Sequence, residues 1–167
     1  MRRSATTTAI SLALAAWAGA QGPRTALSAA DRVQMHRANI TLLTDLVNNG
    51  IALGTTDNAV GRVEACQATA RAIGVALCRA AEADDGDRVI ELGNHLELVV
   101  RDGLSPMLDE TKLHISKESP EYVRLKKAQE NAAANLDESI ATAGKLGGNA
   151  KVRSLTGKLG ELREKLK

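Results

Sequence analysis

His36 and Met35 are the residues of this chain whose types most readily suggest chemistry. His36 lies in "DRVQMHRANITLLTDLV", residues 31–47, on one helical stripe with Val33, Ile40, Leu43 and Val47. An imidazole among aliphatic residues, with a thioether next to it in sequence, is what a helical haem or metal carrier would use as ligands. His95, His114, Met107, Cys66 and Cys78 complete the set of soft or nitrogen donors. No C-x-x-C-H occurs, which excludes covalent c-type attachment through that motif. Met35 points about 100° away from His36 on the same helix, so the two cannot take opposite axial positions. His95 follows Glu91 by one helical turn and reads as its ion-pair partner, and His114 falls close to a predicted turn. Three dispersed histidines do not supply the three or four converging ligands of a metal site. His36 is the one candidate cofactor-binding residue, set against the plainer reading of a partly solvated or hydrogen-bonded histidine in a helix seam.

No catalytic pattern accompanies it. The chain has no H-E-x-x-H, G-x-S-x-G, G-x-x-x-x-G-K-[ST] or G-x-G-x-x-G. "EADDGDRVIE" is rich in carboxylates but lacks the alternating ligand positions of a calcium loop and reads as a capped turn. Asn39-Ile40-Thr41 matches a glycosylation acceptor, but within a helical pattern. Catalytic and metal-ligating residues are therefore expected to be none, and the chain is read as a non-enzyme without a cofactor.

The elements that would position these side chains are helices. Ala, Leu, Glu, Lys and Arg dominate, and aromatic residues make up 1% of the chain, a composition suited to helices rather than to β-sandwiches or barrels. Five segments carry three-and-four spacing. The first runs from an N-cap at Ser28 to a stop at Asn49-Gly50. A second starts near Thr56-Asp57 and repeats Val63, Cys66, Ala70, Ile73 and Leu77. An aspartate of "DDGD" caps the third, with Val89, Leu92, Leu96, Val99 and Gly103, and Ser105-Pro106 kinks or restarts it. Ser119 caps the fourth, with Pro120 at its first position and a stripe of Leu125, Ala128, Ala132, Leu136, Ile140, Ala143 and Leu146. After Gly147-Gly148 the fifth carries Val152, Leu155, Leu159, Leu162 and Leu166.

Narrow stripes joined by short turns favour antiparallel neighbours. In such a hairpin Val33 faces Ile73, His36 faces Ala70, Ile40 faces Cys66 and Leu43 faces Val63, all at one register. The expected fold is an all-α, antiparallel up-and-down four-helix bundle over residues 21–148, with a C-terminal amphipathic fifth helix over 149–167. A three-helix core with looser ends is the alternative. Carried around the bundle, the layer of His36 meets Ala70, Val99 or Val100, and Ala132 or Ala133, none of which ligates iron. Cys66 and Cys78 sit on one helix about 18 Å apart, whereas a disulfide needs Cα atoms within roughly 7 Å. Both thiols are expected to be free within a monomer.

Residues 1–20 have the form of a secretory signal: Arg2-Arg3, an apolar stretch from Ala9 to Ala18, and Ala18-Gly19-Ala20 as a cleavage site. A transit peptide is the competing reading, because no acidic residue precedes Asp31. The expected location is the periplasm or the exterior. Beyond the signal, residues 21–148 hold fourteen basic and eighteen acidic residues, and 149–167 hold six and two. An acidic body with a basic tail and almost no aromatics does not suit nucleic acid.

The tail stripe Val152, Leu155, Leu159, Leu162 and Leu166 is the candidate interaction surface. Gly157 and Gly160 each cost a free helix about 1 kcal/mol, so the segment needs a surface to fold on. Three surfaces compete: its own bundle, which is preferred, then another protein or a second copy, then an anionic membrane. The functional expectation is a non-catalytic exported bundle with an interaction or scaffolding role in the cell envelope. A haem- or metal-binding electron carrier is the rival.

Overall fold

The computed structural model describes residues 28–166, so the expected signal peptide, 1–20, lies outside the described residues. Every regular element among them is helical. Two compact units divide the chain, 1–36 and 37–167. Of the first, the described part is the opening of the helix α1 (Ala29–Thr55). The second holds the rest of α1 and α2 (Ala59–Glu82), α3 (Gly86–Leu98), α4 (Ser105–His114), α5 (Pro120–Gly144) and α6 (Ala150–Lys165).

Polar side chains set the helix starts. Asn58 caps α2 by accepting from the Val60 N–H at 2.8 Å, one residue beyond the expected Thr56-Asp57. Asp85 caps α3 by accepting from Arg88 N–H, and Ser119 caps α5 with Pro120 following it. Asn149 caps α6. Each cap satisfies an N–H that the first helical turn would otherwise leave without a partner. The turn between α2 and α3 carries Asp84 at φ 56°, a left-handed conformation that aspartate tolerates better than most residues. Asn49-Gly50 does not stop α1, which continues to Thr55. A glycine inside a helix costs stability without terminating it, and Ala52 and Leu53 beyond it are half-buried.

α3 and α4 form one rod through a π-helical turn, Val99–Leu104. Its buried residues run Val89, Leu92, Leu96, Val100, Leu104 and Leu108. Successive fours from Leu92 onward would drift around an α-helix of 3.6 residues per turn. The wider π turn keeps Val100 and Leu104 inward, with the Ser105 N–H donating to Val100 O. Pro106 adds a cause, since its nitrogen has no hydrogen to continue the α-helical ladder. The expected inward pair Val99 and Gly103 thus gives way to its C-terminal neighbours.

α2 lies against α3 and α5, and α6 lies against the same two. Their facing ridges make the core: Val63, Cys66, Ala70, Ile73 and Leu77 from α2, Leu125, Ala128, Ala132 and Leu136 from α5, and Val152, Leu155, Leu159, Leu162 and Leu166 from α6. Two glycines allow the closest approaches. A Cβ on Gly93 would overlap the Leu155 methyls, and one on Gly74 would overlap the Asn135 amide. Asn135 is buried and donates from Nδ2 to Ala70 O at 3.1 Å, which ties α5 to α2 where the backbones come close.

The expected roles of the first and last helices are therefore reversed. α6 is part of the packed core, while Val33, Ile40, Leu43 and Val47 are at least half exposed. Ile40 and Leu43 do not seat against Cys66 and Val63; from α1, Leu42 and Leu46 pack on the core instead. The seated stripe is Asn39, Leu42, Leu46, Asn49 and Leu53, all half-buried and again spaced three and four. Arg88 donates to Asn39 Oδ1 at 3.2 Å and anchors this side to α3. Two regular ridges compete on α1, and the one with fewer aliphatic residues lies inward, with its Asn39 accepting from Arg88.

Candidate functional site

α1 is the element whose surface is left over once the core is closed. Over residues 39–55 it carries two ridges about 120° apart around its axis. The inner one holds Leu42 and Leu46 against the body. The outer one consists of Ile40, Leu43, Val47 and Ile51, each 50–60% exposed. Four branched aliphatic residues in a row present on the order of 400 Å² of continuous apolar surface, the size of the largest apolar patch on a typical monomer, which is often functional.

The flanks of this ridge are suited to losing water. Thr44 donates its hydroxyl to Ile40 O at 2.9 Å and Thr55 to Ile51 O at 2.8 Å. A hydroxyl satisfied by its own helix adds little desolvation cost when another surface covers it. Asp45 is the only charged residue between 38 and 55, and five residues from Ile40 and two from Leu43 place it on the far side of the helix from the ridge. The outer face can bury apolar area against a complementary face. It carries no nucleophile and no general acid or base.

The side chains expected to do chemistry are not brought together. His36 is exposed on the opening turns of α1, in the unit 1–36, and Met35 there is 42% exposed. His95 and His114 are exposed on α3 and at the end of α4. Glu91, expected to pair with His95, instead accepts from Arg88 at 2.7 Å. Met107 is half-buried against the core. Among the described residues no group of three or more His, Cys, Asp and Glu converges to hold a metal.

Both cysteines of α2 are free. Cys66 is enclosed by the core against Gly103, and burial pushes its thiol up to about 11. Cys78 is half-buried between α2 and α5. Burial raises its thiol as well, opposed by the Thr142 and Ser139 hydroxyls and reinforced by Glu138 and Glu82. Neither environment activates a nucleophile, which requires a depressed thiol.

A depression of about 630 Å³ lies where the turn 84–87 meets the turn 145–149, lined by Asp84, Asp85, Asp87, Lys145 and Asn149. Asp85 and Asn149 are already engaged as helix caps there, so the acidic groups belong to a turn junction, as their sequence suggests.

Val152, Leu155, Leu159, Leu162 and Leu166 are 0–5% exposed. That ridge is covered by the chain's own helices and has no free face to offer. Cations of the tail meet carboxylates of the body: Lys158 with Glu97 at 3.3 Å, and Arg163 with Asp137 in two parallel bonds of 2.8 and 3.0 Å. Sequence reasoning missed Ile51 and the outward direction of its neighbours. The available signal was the second three-and-four stripe on the same helix, Asn39 to Leu53.

Compared with protein families, with curated proteins and with solved structures, the chain matches none.

Proposed function

We propose that this protein is a non-catalytic interaction or scaffolding protein that acts in the cell envelope after export. In this reading α2, the α3–α4 rod, α5 and α6 pack as a four-helix body that stays rigid, with α2 alongside α5 and α3 alongside α6 in parallel rather than in the expected antiparallel order. α1 is held on it by one ridge and presents the other to a protein partner. The single observation that carries the proposal is the row Ile40, Leu43, Val47 and Ile51, exposed on a helix whose opposite ridge is already seated. A helix with one apolar face on its own body and a second facing outward is suited to helix-in-groove or helix-on-helix docking. Export is carried by the form of residues 1–20 and is tested by determining the N-terminus of the purified protein, expected at Gln21.

A photo-crosslinking amino acid at Val47, in the native host, tests the reading. Illumination is expected to give one discrete adduct from position 47 and none from the exposed Glu130 of α5. No adduct from position 47 would remove the basis of the proposal. The rival reading, a haem or metal carrier, would rest on His36, which is exposed. A stoichiometric Soret band abolished by His36→Ala would restore it.

A further inference from the structure

We infer that the partner seated on the outer ridge of α1 is a second copy of this chain, docked antiparallel through the same four residues. The inference rests on the interaction reading given above and identifies the partner.

The ridge is complementary to its own reverse. When two copies of α1 run antiparallel with their centres at residue 45, Ile40 of one copy lies level with Gly50 of the other, one residue (about 1.5 Å) from its Ile51. Leu43 lies level with Val47 in both directions. Leu43 and Val47 then meet directly, and Ile40 and Ile51 meet with an offset of one residue, which suits a two-helix seam with isologous symmetry. Asp45, at the centre, points away from the seam in both copies, so no like charges oppose each other.

Charge and composition favour this occupant over a membrane. Interfacial helices combine Lys or Arg on the polar face with Trp or Phe on the apolar one. Residues 38–55 contain no Lys, Arg or aromatic residue. The back-bonded Thr44 keeps the helix flank satisfied when a second helix covers it.

Two ridges with their flanking residues bury roughly 1,000 Å² in total, the lower edge of specific interfaces, where association is weak and reversible.

Sedimentation velocity of the purified protein from about 1 to 200 µM reads this directly. A concentration-dependent dimer is expected, and Val47→Lys is expected to weaken it more than tenfold with the far-UV circular dichroism unchanged. Val123→Lys, at an exposed position of α5, is expected to leave it intact. A protein monomeric throughout this range, or a dimer indifferent to Val47→Lys, overturns the inference. Orientation is read by mixing Leu43→Cys and Val47→Cys chains in a Cys66→Ala, Cys78→Ala background. Antiparallel docking gives the mixed disulfide preferentially, whereas preferential Leu43→Cys self-pairing overturns it. The photo-adduct at Val47 separates the two levels. A mass of twice the chain supports self-association. A different mass sinks the second copy and leaves the interaction reading standing, and no adduct sinks both.

Discussion

Ending the chain at Gly148 removes α6 and tests whether that helix belongs to the core. The helix buries Val152, Leu155, Leu159, Leu162 and Leu166 to 5% exposure or less. Full burial of one such side chain is worth about 1.5–3 kcal/mol, so the five together contribute roughly 10 kcal/mol. A denatured chain that is already partly compact makes this an upper figure. It nevertheless matches the whole stability of a typical domain, about 5–15 kcal/mol. The truncation also uncovers the faces of α3 and α5 on which α6 lies, including the slot at Gly93 that receives Leu155. Far-UV circular dichroism with thermal and urea melts should show the shortened chain without a cooperative transition, and with much of the helix signal of α2 to α5 lost. Leu159→Ala in the full chain should lower stability by about 2–5 kcal/mol, while Leu43→Ala should change it by no more than about 0.5 kcal/mol. A shortened chain that melts cooperatively within a few degrees of the full one would refute the packing described for α6.

Gly157 lies exposed in α6 with open space around its Cα, so Gly157→Ala should stabilise by about 1 kcal/mol, read as a raised urea midpoint at constant slope. Gly74→Ala should destabilise by about 1–3 kcal/mol, because the new methyl displaces the Asn135 amide from Ala70 O; hydrogen exchange of the surrounding α2 amides should accelerate. At pH 8 a thiol reagent should label Cys78 of the native protein before Cys66, and both should react in urea. Burial holds the folded Cys66 thiol near 11, above the ordinary value of 9.0. Its contribution to stability is therefore complete below pH 9 and is lost as the pH rises from about 9 toward 11, where only the unfolded chain releases the proton. Urea melts across that window should show the loss, and Cys66→Ala should flatten the curve.

Helical class and most of the buried face were legible because α2, α5 and α6 each carry a single apolar ridge, and a helix with one ridge can only turn it inward. Ser119, Pro120 and an aspartate of "DDGD" were legible as caps for the same local reason. α1 was not, since its sequence carries two ridges and periodicity does not say which one faces the body. Ile40, Leu43 and Val47 form the more aliphatic one, while the seated one includes Asn39 and Asn49. What decides between them is tertiary: Arg88, far along the chain, donates to Asn39, and the ridge of α2 that the first helix was expected to cover is packed against α3 and α5. The shift of the inward face at Val100 and Leu104 was hidden as well, because α-helical periodicity does not include an inserted residue. His36 looked like a site only while its stripe was taken to face the core.

Thiol accessibility gives the most direct test of the central claim, that α1 turns its aliphatic ridge outward while α6 turns its own inward. Single cysteines at positions 43, 46 and 159, in a Cys66→Ala, Cys78→Ala background, would be labelled with a charged reagent at a protein concentration where sedimentation shows monomer. Position 43 should react within about tenfold of its rate in urea, position 46 more slowly, and position 159 slower by a factor of about a thousand or more, as for groups exposed only by unfolding. Protection at 43 together with free reaction at 159 would contradict the account.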